Sequence, residues 1–349
     1  MEDMLLFGNL AGNIRPPLAP RKYRERLLTL NDLTDKQLRS RYRFGRQSIE
    51  RITDIVRDDI THPTQRSHAL SAEMQVLVAL RFFASGSFMQ VIGDTVGIDK
   101  STVSRCVDKV SKALASKSDQ YIKWPSEQRK RDIKQGFYDN GGFPGVIGCI
   151  DGTHVRIAAP SSDERHEPSF VNRKGFHSIN VQAICDNEGK FTNIVARWPG
   201  SVHDSHIMRC SQISEHLEQA HKCVEDGLIL GDSGYACRSF LMAPYIRPTE
   251  PYRERFNTAH TRTRCCIERT FGWWKKRFYC LHAELRLQPE KACTLIMACA
   301  VLHNLAIEMR EPMEDPDDEF QMFWNINKDF RGPDEGRVVR DHIARTFFA

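Results

Sequence analysis

The sequence has no Cys-x-x-Cys pair. Its 11 cysteines are scattered, with only Cys265 and Cys266 adjacent, so neither a zinc module nor a disulfide framework is indicated. They read as reduced, half-buried small hydrophobes. No run of about 18 apolar residues occurs, which argues against a membrane partner. The opening Met1-Glu2-Asp3-Met4 lacks the basic flank and apolar run of a secretory leader. Internal repeats and extended low-complexity tracts are also missing. The expectation from these absences is a soluble intracellular protein. With 349 residues and 40% hydrophobic content, the chain can bury at least one sizeable core. Positive charge is in slight excess, +5 overall, but unevenly spread. Residues 1–140 hold 24 Lys+Arg against 17 Asp+Glu, whereas residues 311–349 hold 5 against 10. A basic front half suits a polyanionic partner, although such an imbalance is also common on solvated surfaces.

From Leu28 to about Leu114 the apolar residues recur at helical spacing, with Pro63, Gly86 and Gly97 as stops. Ser87 to Val96 reads as a short helix ended by Gly97, and Asp99 or Ser101 can cap a second helix from Lys100. Val103, Cys106, Val107, Val110 and Leu114 form one stripe of that second helix. Lys100, Ser101, Ser104, Arg105 and Lys109 are left on other faces, as in a helix-turn-helix that meets phosphates and base edges. A plain helical bundle is the alternative. The run Arg39, Arg41, Arg43 and Arg46 adds cations upstream, or else a wet helix face.

The Gly-rich break at 140–145 introduces a different texture. Short apolar or β-branched runs at 146–150, 177–184, 191–198, 228–230 and 241–245 predict strands. A helix is expected after Asp204, and two long ones at about 261–280 and 289–309. This order is that of a mixed α/β sheet. The layout expected is a flexible segment 1–27, a helical part 28–140, an α/β part 141–310, and an acidic linker with a short helix over 311–349. That last helix is placed near Val338 to Phe347.

Asp151 follows the apolar strand VIGCI, and Asp232 follows LIL. Carboxylates at the ends of strands of one sheet can converge, since neighbouring strands lie about 4.8 Å apart. Glu268 lies in the helix TRCCIERTFGWWKKRF, on the border of the stripe Ile267, Phe271, Trp274 and Phe278. Trp273 then falls on a different face, partly exposed. Three or four carboxylates suffice for Mg²⁺, which takes oxygen ligands, and two such ions about 3.5–4 Å apart can drive phosphodiester hydrolysis. Each acid alone has a plainer reading as a cap, turn or solvated residue. Asp204 could cap the helix it precedes or join a metal site. His203 and His206 read as structural or substrate contacts.

At these residues the chain resembles the PIF/Harbinger-type transposase family, domesticated nucleases included. The resemblance rests on GVIGCIDGTHVRI (145–157), FVNRKGFHSINVQAICD (170–186), RWPGSVHDSHI (197–207), LILGDSGY (228–235), IERTFGWWKKRF (267–278) and ACAVLHNLAI (298–307), in family order, and on the helical region 63–107. It implies an RNase H-like catalytic core behind an all-α helix-turn-helix domain, and DDE-type two-metal cleavage of DNA. Asp151, Asp232 and Glu268 are the implied catalytic residues and ligands of Mg²⁺ or Mn²⁺, with Asp204 near the metal. The resemblance further implies possible joining of 3′-OH ends to target DNA, a separate Myb/SANT-like DNA-binding partner, and a homo-oligomer. Localisation is expected in the nucleus, with a cytoplasmic pool when the partner is absent; the short run Arg129-Lys130-Arg131 could assist import. Arg156, Asn172, Arg173, Lys174, Lys275, Lys276 and Arg277 are candidate phosphate contacts. The competing reading is a domesticated, catalytically silent adaptor for the Myb-like partner.

Overall fold

A computed structural model describes residues 30–61, 69–160, 167–222, 224–312 and 334–349. The segment 1–27 and most of the acidic linker lie outside the described residues.

Local chemistry shapes the first half. Helix α1 (Asp35–Tyr42) opens on a capping box of Thr34 with Gln37 and closes at Arg43, whose φ of 66° is left-handed. Helix α2 (Arg46–Ile60) buries Ile49, Ile52, Val56 and Ile60 at helical spacing. Helix α3 (Ala72–Ser85), capped by Ser71, is buried on most sides. Helices α4 (Met89–Val96) and α5 (Lys100–Ala115) are joined by three residues. Gly97 takes a φ of 75°, and the Asp99 carboxylate accepts the Ser101 backbone N–H at 2.8 Å. All five residues of the α5 stripe are buried. Helices α6 (Ser118–Tyr121) and α7 (Glu127–Gly141) lead into the sheet.

Strands β1 (Val146–Arg156), β2 (Ser178–Cys185) and β3 (Phe191–Pro199) form an antiparallel meander. Helices α8 (Asp204–Arg209) and α9 (Gln212–Ala220) follow, then strands β4 (Leu228–Leu230) and β5 (Leu241–Met242). The mixed sheet has order β3-β2-β1-β4-β5, with β4 and β5 parallel to β1. The expected α/β class holds, with two corrections to its strands. β1 continues past Ile150, so Asp151 lies within the strand rather than after it, because β2 goes on pairing as far as Arg156 opposite Ser178. The run 241–245 keeps only two strand residues; Pro244 has no N–H to donate.

Helix α10 (Pro251–Arg277) begins ten residues before the expected start, with proline in its first turn. It is followed by α11 (Pro289–Glu308) and α12 (Asp334–Phe348). Helix α11 is long and apolar enough to span a membrane, yet it is 67% buried and packs on α5 and β3. Inside it, Asn304 accepts the Phe191 N–H at 2.8 Å and donates to the carbonyls of Tyr121 and Phe191. One apolar cluster runs from Leu30 to Ala344, so the helical part and the sheet share a core. Glu311, expected to begin a solvated linker, is buried instead: it accepts from Gly45 N at 2.9 Å, Ser48 Oγ at 2.5 Å and Arg39 Nε at 2.9 Å. Without it the Gly45 N–H and the Ser48 hydroxyl would be stranded at the α1–α2 turn, whereas Arg39 would keep Asp35.

Candidate active site

The parallel pairing of β1 with β4 sets the centre of the site. Cys149 is opposite Leu230, the last residue of β4. Two residues further along each chain stand Asp151 and Asp232. Asp151 lies within β1, level with the point where β4 ends, and Asp232 stands in the turn just past β4, so both acids fall at the carboxyl end of β4. Because β1 outruns β4, its side there is open, the usual location of a ligand crevice in such sheets. Asp232 is fixed by its own turn, with Oδ1 accepting the Gly234 N–H at 2.9 Å.

Asp204 comes in from the other side. It is the first residue of α8, and its carboxylate does not cap that helix: Oδ1 accepts from Asn180 Nδ2 of β2 at 2.8 Å. The carboxylate lies so close over Gly152 that a Cβ there would be 2.3 Å from Oδ1. Gln182, two residues along β2, donates to the Asp204 carbonyl at 2.8 Å and to the Tyr235 hydroxyl at 3.0 Å. Burial raises the Asp204 carboxyl above its ordinary range, against the Asn180 bond, and nearby Asp232 adds to the rise.

Glu268 reaches the site from α10. One polar face of that helix lies along the sheet: His260 Nε2 is 3.0 Å from the Met242 carbonyl, and Lys275 donates to Thr153 Oγ1 at 2.7 Å and the His154 carbonyl at 2.9 Å. Between these anchors stands Arg264, one turn before Glu268. Its guanidinium donates to Asp151 Oδ2 at 3.1 Å and pairs with Glu268 Oε1. Burial weakens the charge on Arg264, but Asp151, Glu268 and Asp232 outweigh it and hold the guanidinium more firmly protonated than usual. Burial pushes the Asp151 carboxyl up to about 7; Arg264 opposes the rise, while Asp232 and Asp204 add to it. All four predicted acids are thus electrostatic neighbours. Arg264, Asn180, Gln182 and Tyr235 were not foreseen. The i, i+4 spacing of Arg264 and Glu268, and two amides alternating on an otherwise apolar strand, are the signals that were present in the sequence.

Among the described residues, no group of three or more His, Cys, Asp and Glu is already gathered closely enough to hold a metal ion. Arg264 occupies the ground between two of the acids. The donor chemistry nonetheless fits a hard divalent cation: the side chains are all carboxylates, and burial, with a smaller push from Asp232 and Asp204, lifts Asp151, a cost that such a cation relieves.

The candidate nucleic-acid contacts fall in several places. On α5, Lys100, Ser101 and Arg105 are exposed, and Ser104 and Lys109 half-buried. Arg173 and Lys174 are exposed on a turn, with Arg173 against His203. Arg156 pairs with Glu284 at 3.3 Å and lies over the Phe176 ring. Lys275 is committed to β1, and burial lowers its ammonium to about 8, helped by Lys174. Lys276 sits at the end of α10. Arg129, of the expected import run, pairs with Asp186 at 3.2 Å and Glu188 at 2.7 Å.

The five-stranded mixed sheet lies mostly in a stretch, residues 150–304, that matches the family profile of the DDE superfamily endonucleases, and with a relative 40% identical over most of both chains this chain belongs to that family. The human protein HARBI1, whose name describes it as a candidate nuclease, is 40% identical over 304 residues, covering 83% of this chain and 85% of its own length. The cattle counterpart is 39% identical over the same span. An ALP1-like protein of Arabidopsis thaliana is 26% identical over 294 residues, 79% of this chain and 72% of its own. The Harbinger resemblance is borne out by these relatives. No solved structure matches.

Proposed function

We propose that the chain is a metal-dependent DNA endonuclease of the DDE type, with Asp151, Asp232 and Glu268 as the residues that hold Mg²⁺ or Mn²⁺ and Asp204 beside them. The observation that carries this reading is the parallel register of β1 and β4, which sets Cys149 opposite Leu230 and leaves Asp151 and Asp232 each two residues beyond that pair. A bound divalent cation supplies water activation and neutralises the departing oxygen. The chain's own residues do the rest. Arg264 turns Asp151 and Glu268 toward each other, and its planar fork suits a phosphate. Asn180 and Gln182 hold Asp204 against β1, and the buried ring of Tyr235 closes the floor against water. The RNase H-like relationship of the core, two-metal hydrolysis and joining of 3′-OH ends belong to the same proposal.

So do the wider assignments. The α4–α5 pair, with its three-residue turn and exposed Lys100, Ser101 and Arg105, supports a helix-turn-helix reading. A Myb/SANT-like partner, a homo-oligomer and a nuclear location with a cytoplasmic pool complete it. The test is nicking of supercoiled plasmid in Mg²⁺ or Mn²⁺ by wild type and by Asp151→Ala, Asp232→Ala and Glu268→Ala, with melting curves for each. Loss of nicking in well-folded variants is expected; variants that cut as well as wild type would sink the assignment. A silent adaptor is the second reading, favoured by the Arg264 bridge that neutralises Asp151 and Glu268. An Arabidopsis thaliana relative is named an antagonist of like heterochromatin protein 1, a name without catalysis in it. Absence of turnover in either metal, with and without a Myb-like protein, is what this second reading requires.

A further inference from the structure

The polar side chains that α10 lays on the sheet do not all end on the same kind of group. His260 reaches the Met242 carbonyl, and Lys275 reaches Thr153 Oγ1 and the His154 carbonyl. Those are neutral groups of the sheet, so both residues are anchors. Arg264 is different. Among the described residues its guanidinium donates to two carboxylates and nothing else, those of Asp151 and Glu268, and Asp232 is the next charge acting on it.

The carboxylate oxygens show what this means. Asp151 Oδ1 accepts the Gly152 N–H at 2.8 Å and Oδ2 accepts from Arg264 at 3.1 Å, so both are engaged. Asp232 Oδ1 is held by the Gly234 N–H at 2.9 Å and Asp204 Oδ1 by Asn180 Nδ2 at 2.8 Å. Glu268 Oε1 is on Arg264. Three of these donors belong to the backbone or to a buried strand amide and keep their places. Arg264 alone hangs on a long flexible stem, with 16% of its side chain exposed. A divalent cation and a guanidinium are like charges that need the same oxygens, and they repel strongly where water is scarce. A cation on Asp151 and Glu268 therefore takes both of Arg264's partners at once. The guanidinium is then left at the rim of the acids without a counter-charge, and its planar fork of donors matches phosphate oxygens.

We propose that Arg264 is an exchangeable counter-ion: it gives up Asp151 and Glu268 when a divalent cation binds them, and turns its fork to a phosphate of the bound DNA. The proposal rests on the metal-dependent reading for its cation and its ligand, but its test needs no cleavage. Mn²⁺ affinity is measured by titration calorimetry without DNA for wild type, Arg264→Gln and Arg264→Lys, each with a melting curve. Arg264→Gln removes the competing charge and should bind Mn²⁺ more tightly, by about tenfold or more. Arg264→Lys keeps the charge and should stay near wild type. Ca²⁺ should tighten wild type on a labelled duplex, checked to be uncut, and Arg264→Gln should lose most of that gain in spite of its better metal site. Because Arg264→Gln leaves two acids without their counter-charge and can unfold, wild type is also labelled with phenylglyoxal, which adds to free guanidinium groups. Peptide mass spectrometry follows Arg264 against Arg262, exposed on the same helix. Labelling of Arg264 should rise severalfold when Mn²⁺ saturates the chain, while that of Arg262 stays constant. A folded Arg264→Gln that binds Mn²⁺ no better than wild type would overturn the proposal, and so would Arg264 labelling unchanged at saturating Mn²⁺; plasmid nicking by wild type would then leave the nuclease reading standing. A wild type that takes up no Mn²⁺ while Arg264→Gln does would defeat the nuclease reading and support Arg264 as the group that holds the acids closed. Uptake by neither, with normal melts, would end both.

Discussion

At Arg264 one guanidinium answers two carboxylates, so its removal leaves Asp151 buried beside Asp232 and Asp204 with no counter-charge. Arg264→Met is expected to lower stability by about 3 kcal/mol, at the lower end for a broken buried pair because both side chains keep some solvent. Chemical denaturation without divalent ions measures it. A variant as stable as wild type would mean the bridge contributes nothing. Gly152 makes a different demand, one of space. Gly152→Ala forces a methyl against the Asp204 carboxylate, so nicking should fall about 10- to 100-fold with the fold intact, the range typical of a displaced supporting group. Asn180→Ala, which frees the same carboxylate without crowding it, should fall in that range too.

Helix α10 is the element that joins the chemistry to the sheet. Its stripe of Ile267, Phe271, Trp274 and Phe278 is buried as the spacing required, and Trp273 is half-exposed under the Arg269 guanidinium. The polar face does the aligning, through His260, Arg264 and Lys275. Lys275 carries a testable signature. Its ammonium ionises at about 8 in the folded chain against 10.5 for a free lysine. The unfolded chain therefore binds more protons between those values, and stability should rise with pH through that window. Below about 8 the cost of holding the charge is fully present. Lys275→Met should abolish that part of the pH dependence, seen as the difference between two denaturation series from pH 7 to 10.5; parallel series would refute it. The spacing of α10 was legible because buried stripes obey a fixed period. Its true start at Pro251 was not, since residues 251–260 are mostly polar and only Phe256 and His260 reach the core.

For the whole molecule, the change of texture near residue 140 suggests two parts, while the packing gives them one core. Helix α11 lies on α5, and Glu311 ties the end of α11 to the α1–α2 turn. Full-length protein should thus melt in one transition, and residues 28–140 expressed alone should show none, because α5 would lose the helix it packs on. Calorimetry of both decides the matter; a cooperative melt of the fragment would contradict it. Glu311→Ala should lower that single transition by several degrees, since it strands the Gly45 N–H and the Ser48 hydroxyl.

The sequence by itself determined the helices of the first half, the order of the strands, and where the four candidate acids fall among them, because periodicity, caps and motif spacing act over a few residues. It also identified the family. Tertiary structure alone decided that Asp151 lies inside β1, that Asp204 answers to Asn180 rather than to its own helix, that Lys275 is an anchor to β1, and that Arg264 stands between two acids. Each depends on which strand pairs with which, and on how far that pairing extends. Such contacts join residues tens to more than a hundred positions apart, and no local pattern encodes them.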